Sequence, residues 1–208
     1  GQVTPLIKKP GADVNDPANY RPITNLNTVG KILERLVQNR LRQHLSTSPN
    51  YNTLQSAYRA LHSTETAMTK VVNDLLTAVD TGKPTVLLSL DISAAFDMLD
   101  HGRLLQRATE LFGLTSQVIK WLESYLSHRC RYVSLGNCRS ASVESASGVP
   151  QGSVLLFSIY TTPVGRLISS FGISYHRYAD DTQLYTSIDL LSNNDILNLS
   201  NCADAVTK

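Results

Sequence analysis

Ile173-Ser174-Tyr175-His176-Arg177-Tyr178-Ala179-Asp180-Asp181-Thr182-Gln183-Leu184-Tyr185-Thr186 sets two adjacent carboxylates between two short runs rich in β-branched and aromatic residues. Such runs on either side of a tight turn predict a β-hairpin with Tyr178-Ala179-Asp180-Asp181 at its tip. Two acidic side chains held at one turn repel each other unless solvent or a cation relieves them, which makes the tip a candidate site for a divalent metal. A solvated surface turn has the same composition, so the reading depends on what else the chain carries.

The 208 residues are enough for a real core in one or two subdomains, and 42% hydrophobic with 17% charged residues excludes a largely disordered chain. The formal charge of +2 comes without a Lys/Arg block or basic tail, so a nucleic-acid partner is permitted and any basic groove has to be assembled by folding. Cys130, Cys138 and Cys202 are odd in number and lack CxxC spacing. That argues against a disulfide framework or a zinc module and for a reducing, intracellular compartment. No apolar run reaches the length of a membrane span and no signal peptide is visible, so no membrane partner is expected. A start at Gly1 rather than Met, and an end soon after the hairpin, read as a fragment.

Working outward, Pro5, Pro10, Gly11 and Pro17 predict extended chain and turns up to Tyr20. Ile32, Leu33, Leu36, Val37, Leu41 and Leu45 recur at helical spacing and stop at Pro49-Asn50. A second helix starts near Ser63, carries Ala67, Val71, Val72, Leu75, Leu76 and Val79, and ends before Gly82 and Pro84. The continuous apolar run Thr85-Val86-Leu87-Leu88-Ser89-Leu90 predicts a buried strand ending at Asp91. Helices around 103–111 and 116–127, a hairpin about Gly136-Asn137, and a helix from Pro150 to about Ser170 interrupted by Pro163 complete the list. Strands and helices mix without strict alternation, which argues α+β.

Two further pieces bear on chemistry. Leu88-Ser89-Leu90-Asp91-Ile92-Ser93-Ala94-Ala95-Phe96-Asp97 places a carboxylate at a strand exit and then turns on small residues. A plain helix or turn cap explains an isolated Asp91 as well. Ser147-Gly148-Val149-Pro150-Gln151-Gly152-Ser153 is a loop free of bulk before a helix start, suited to close contact with a flat or phosphorylated ligand, or simply a loop.

In this order the three pieces resemble the three palm motifs of a reverse transcriptase: Asp91 to Phe96, Gly148 to Ser153, and Tyr178 to Asp181. The wording is similar to that of non-LTR (LINE-type) retrotransposons of the CR1/Jockey-like group. Asn19-Tyr20-Arg21-Pro22-Ile23, Lys31-Ile32-Leu33-Glu34-Arg35, Leu54-Gln55-Ser56-Ala57-Tyr58-Arg59 and His62-Ser63-Thr64-Glu65-Thr66 carry that likeness through most of the chain.

The resemblance implies an RNA-directed DNA polymerase of the right-hand type. It would have a palm of antiparallel sheet and packed helices over 85–208 and partial fingers over 1–84, with no thumb in this stretch. It implies two-metal nucleotidyl transfer with two Mg²⁺ ions, or Mn²⁺, in which an RNA template, a DNA primer and dNTPs are the partners. Asp91 and Asp180 would bridge the metals, Asp181 would complete the cluster, and the carbonyl of Ile92 would be a further ligand. Phe96 falls where an aromatic side chain excludes a ribose 2′-hydroxyl, Gln151 and Gly152 where the nucleotide pocket is lined, and Tyr178 beside the primer terminus. Arg21, Lys31 and Arg59 are candidates for triphosphate or template-phosphate contacts. A nuclear or cytoplasmic location follows from the same resemblance, and oligomeric state does not.

Two departures stand out. Ser153-Val154-Leu155 runs straight into Leu156-Phe157-Ser158, about three residues shorter than the family pattern. Leu61 stands near where the family has a turn glycine, an awkward exchange if the position needs positive φ. Both suggest a decayed copy, so a catalytically silent remnant that at most binds nucleic acid is the alternative. An RNA-dependent RNA polymerase is a third reading: Asp97 follows Asp91 by six positions, but Phe96 and Ala179 speak against it.

Overall fold

A computed structural model of the protein describes residues 1–25, 27–92, 95–150, 153–189 and 193–207. In chain order it forms β1 (Gln2–Ile7), β2 (Tyr20–Asn25), α1 (Thr28–Thr47), α2 (Thr64–Asp80), β3 (Thr85–Leu90), α3 (His101–Phe112) and α4 (Ser116–Leu126). There follow β4 (Cys130–Leu135), β5 (Cys138–Arg139), β6 (Val143–Glu144), α5 (Val154–Ser170), β7 (Ser174–Tyr178), β8 (Asp181–Ser187) and α6 (Asn194–Thr207). The chain divides into two compact units, each built from two segments: Gly1–Pro49 with Phe96–Tyr160, and Asn50–Ala95 with Thr161–Lys208. The expected α+β class holds. No described helix is long and apolar enough to cross a membrane.

In the first unit β1 and β2 form an antiparallel pair from Gln2↔Asn25 to Ile7↔Tyr20, and β4 adds in parallel to β1. The expectation of extended chain and turns up to Tyr20 missed this ladder. Pro5 pairs with Pro22, so the two residues without an N–H share one rung and the loss of donors is confined there. Leu99, Leu104, Ala108 and Leu122 are fully buried in this unit.

The second unit is built on a three-stranded antiparallel sheet of order β3-β8-β7. One face packs Tyr175 and Leu184 with Ile168 of α5 and Leu199 and Cys202 of α6, a closed apolar cluster. Full burial of a Leu or Ile there is worth about 1.5–3 kcal/mol. The other face meets α2, where Tyr185 donates a hydrogen bond to Asp74. α2 starts on a capping box: the Ser63 hydroxyl accepts from the Thr66 N–H at 3.3 Å and the Thr66 hydroxyl from the Ser63 N–H at 2.8 Å. The run His62–Thr66 that carried part of the resemblance is therefore, locally, a helix start.

Three expectations need correction. β3 is an edge strand rather than a buried one, and Leu87 is half exposed, because an apolar run at a sheet edge is covered on one face only. On α2 only Ala67 and Val71 are buried, while Val72, Leu76 and Val79 face solvent. α6 went unforeseen.

Leu61 adopts φ 64° with its side chain 99% exposed, so the position does require left-handed backbone and the leucine packs on nothing. Left-handed backbone costs a non-glycine residue roughly 1–2 kcal/mol, part of which glycine returns as unfolded-state entropy. Leu61→Gly should stabilise the chain by up to about 1 kcal/mol. A urea midpoint that stays put or falls would contradict this.

Candidate active site

β7 and β8 pair Tyr178 with Asp181, which leaves Ala179 and Asp180 as the two residues of the turn. Two-residue hairpin turns match strand twist only with positive φ at the first central position, and Ala179 has φ 56°. The carboxamide of Gln55 closes on that residue. Its Nε2 donates to the Ala179 carbonyl at 3.0 Å, and its Oε1 accepts from the N–H of Ala179 at 2.9 Å and of Ala57 at 3.1 Å. Gln55 arrives there because 54–56 runs parallel to the end of β7. The Ser56 N–H donates to the Arg177 carbonyl and the Arg177 N–H to the Leu54 carbonyl, both at 2.9 Å.

The β3–β8 register ends at Leu90↔Thr182, so one step further Asp91 comes opposite Asp181. Asp181 is the carboxylate on which the other two act. Burial pushes the Asp181 carboxyl above its usual range, and the negative charges of Asp180 and then Asp91 add to the push. Burial, followed by the charge of Asp180 and the neighbouring Tyr178, likewise raises the Tyr58 hydroxyl. Under the turn lies Arg177, 1% exposed, donating from Nη1 to the Thr161 carbonyl at 3.0 Å and from Nε to the Thr182 hydroxyl at 3.3 Å. Its Nη2 finds no partner among the described residues. Burial pulls its pKa down to about 10, opposed by Tyr175 and Asp180. Hard carboxylate oxygens that disfavour each other's charge suit a hard divalent cation. Among the described residues, however, no three acidic, His or Cys side chains converge closely enough to hold a metal ion.

Asp91, Ile92, Tyr178, Asp180 and Asp181 thus share one unit, and Arg59 belongs to it too. Arg59 lies over the Tyr51 ring at 5.5 Å and donates to the Thr53 carbonyl. Arg21, Lys31 and Phe96 belong to the other unit. There Arg21 is exposed on β2, and Lys31 lines a cavity of about 270 Å³ with Glu34 and Trp121. The Phe96 ring stacks on Phe157 at 4.7 Å. Gln151 and Gly152 lie outside the described residues, as do Ser93 and Ala94. α5 begins at Val154, directly after Ser153, whose N–H donates to the Pro150 carbonyl at 2.9 Å. Gly148 has φ 81°, and a Cβ there would sit 2.8 Å from the Asp97 carbonyl oxygen, so this loop glycine is demanded twice over.

Sequence reasoning missed Gln55, Tyr58 and Arg177 as parts of the site. Gln55 and Tyr58 fall in a quoted motif, but nothing local tells that this motif meets a turn 124 residues away. It also missed the polar chain in which the Ser56 hydroxyl bonds His176 Nε2 at 2.8 Å and His62 Nδ1 at 2.9 Å.

A sequence profile described as reverse transcriptase (RNA-dependent DNA polymerase) matches residues 7–199. This chain belongs to the reverse transcriptase family. It is 35% identical over 190 residues to the RNA-directed DNA polymerase from mobile element jockey of Drosophila melanogaster, covering 87% of this chain and 20% of that protein. It is also 35% identical over 159 residues to the probable RNA-directed DNA polymerase from transposon X-element of the same organism, covering 75% of this chain and 17% of the relative. The expected kinship with Jockey-like, non-LTR elements therefore holds, and the chain spans about a fifth of the length of these relatives. Apo telomerase from Candida Tropicalis, truncated from its C-terminal domain, superposes with a TM-score of 0.54 at 12% identity, over 89% of this chain and 44% of that one. Candida Tropicalis telomerase in complex with a telomeric RNA fragment gives 0.56 at 16% identity, over 83% and 30%. At such identities the likeness speaks for the fold, and it agrees with the expected right-hand polymerase palm.

Two outcomes follow for this reverse transcriptase chain. Gly148→Ala combines positive φ with backbone overlap and should destabilise by about 3 kcal/mol, read as a drop in urea midpoint; a shift under a third of that would show that the loop yields. The second concerns His176, whose pKa is lowered by burial first and then by Lys70, with Asp74 opposing and His62 and Arg59 adding to the lowering. Because the folded pKa lies below the unfolded value near 6.5, the unfolded chain takes up the proton first. Stability is full above that value and is lost as pH falls from it through the folded pKa. Urea midpoints should therefore fall more between pH 7.5 and 5.5 for the parent than for His176→Gln; equal slopes would refute the assignment.

Proposed function

We propose that this chain is the catalytic core segment of an RNA-directed DNA polymerase, extending a DNA primer with dNTPs on an RNA template. The observation that carries the proposal is the strand register, which brings Asp91 level with Asp181 at the turn that holds Asp180, with the charges of Asp180 and Asp91 both raising the Asp181 carboxyl. In the reaction a primer 3′-hydroxyl attacks the α-phosphate of the incoming dNTP and pyrophosphate leaves. Asp91, Asp180, Asp181 and the Ile92 carbonyl would hold Mg²⁺, or Mn²⁺, which supplies a lowered pKa for the attacking hydroxyl and neutralises leaving charge. Tyr178, one strand over from Asp181, is suited to pack against the primer end. Phe96 would exclude a ribose 2′-hydroxyl by bulk, its ring braced by Phe157. Arg59, and in the other unit Arg21 and Lys31, are candidate phosphate contacts, with Gln151 and Gly152 for the nucleotide. By the family resemblance we assign 1–84 to fingers and 85–208 to palm, a division that differs from the two compact units, which part after Pro49, Ala95 and Tyr160.

The direct start of α5 after Ser153 and the leucine at position 61 favour a second reading, a silent remnant that at most binds nucleic acid. Primer extension on an RNA template with Mg²⁺ or Mn²⁺ separates the two. The chain is compared with a version carrying the restored turn and a thumb, and each is paired with Asp180→Ala. Extension should be weak for the chain alone, clear for the completed version, and lower by on the order of 10³-fold with Asp180→Ala. Activity that survives Asp180→Ala would sink the carboxylate assignment, and silence of the completed version would favour the remnant.

A further inference from the structure

We propose that Gln55 is a positioning residue of the carboxylate site, holding Ala179 in its left-handed conformation and thereby fixing how Asp180 and Asp181 are presented. The inference rests on the carboxylate reading above and assigns the site a residue that touches neither metal nor substrate.

The contact is specific in four ways. Gln55 bonds both backbone groups of a single residue, donating to the Ala179 carbonyl and accepting from its N–H. A carboxamide does this because it offers a donor and an acceptor side by side, as a neighbouring strand would. Ala179 is the residue of the turn that needs such support, since it holds positive φ with a side chain that disfavours it. The arm is itself anchored: Gln55 is buried, bridged to Arg177 by backbone pairing, and followed by Ser56, which bonds His176. Finally, the group is neutral. A carboxylate in its place would lose the donor and add a fourth negative charge beside Asp180 and Asp181; asparagine, one methylene shorter, would not span the gap.

The test uses the 208-residue chain with two readouts. The first is metal-free NMR, giving the three-bond HN–Hα coupling and amide exchange at Ala179. The second is Mn²⁺ titration followed by electron paramagnetic resonance. Gln55→Met keeps length and bulk but removes both hydrogen bonds, and Gln55→Asn serves if methionine is poorly tolerated. Either should move Ala179 to negative φ and speed its exchange at least tenfold, while the Leu184 and Tyr185 amides keep their protection. Mn²⁺ affinity should fall about tenfold. Adding Ala179→Gly, which tolerates positive φ unaided, should restore most of that affinity, a rescue that a merely structural role for Gln55 does not predict.

An unchanged Ala179 backbone overturns the proposal. So does Mn²⁺ binding within twofold of the parent, or a double variant no better than the single one. A parent chain that binds no Mn²⁺ sinks the carboxylate reading itself and this role with it, which distinguishes that failure from a failure of Gln55 alone.

Discussion

The left-handed backbone at Ala179 is the constraint from which the geometry of the site follows. A two-residue link between right-twisted strands needs positive φ at its first position, and an alanine there costs roughly 1–2 kcal/mol. Two hydrogen bonds from Gln55, at about 1 kcal/mol net each, offset a strain of that size. With the turn closed this tightly, Tyr178 pairs Asp181, β8 runs back in register with β3, and Asp91 comes level with Asp181. A looser turn would slacken the Tyr178–Asp181 end of that ladder, and with it the level at which Asp181 faces Asp91.

The charges around the turn are arranged on the two sides of the sheet. Alternation sends Tyr175, Arg177, Thr182 and Leu184 toward one face, and His176, Tyr185 and Gln183 toward the other. On the first face the Arg177 guanidinium is buried beneath the turn, bonded to the Thr161 carbonyl and the Thr182 hydroxyl rather than to a carboxylate among the described residues. Burial lowers the pKa of Arg177, and the negative charge of Asp180 partly opposes that. On the second face Tyr185 donates to Asp74 of α2, and the Ser56 hydroxyl links His176 Nε2 to His62 Nδ1, while His176 Nδ1 finds no partner among the described residues. His176 belongs to this packing rather than to the acidic cluster, and its preference for the neutral form follows from burial.

Kinship with the mobile-element polymerases and the departures from the family pattern concern different parts of the molecule. Asp91 follows the end of β3, and Asp180 and Asp181 stand at the β7–β8 turn. The departures fall in connections: Leu61 in a turn that needs left-handed backbone, and the direct passage from Ser153 into α5. A connecting turn can absorb a strained residue at a cost of a kcal/mol or two.

Much was legible in the chain itself, because the signals were local. The period of Leu36, Leu41 and Leu45, the cap at Ser63, and the paired β-type runs around Asp180-Asp181 each depend on neighbours a few residues away. The positive φ at Leu61 was only a condition raised by the family resemblance, and the structure shows it. β1 and β2 were not legible, since their prolines read as breakers until one is seen opposite the other. Nor was the half-exposed state of β3, because an apolar run does not say whether a strand is central or at an edge. The sequence by itself determined the family and the identity of the acidic residues, which are matters of order and type. Only the tertiary structure decided that Gln55 grips Ala179, that Arg177 lies buried under the turn, and that Phe96 stacks on Phe157. Those partners are far apart along the chain, and their meeting is set by packing and strand register.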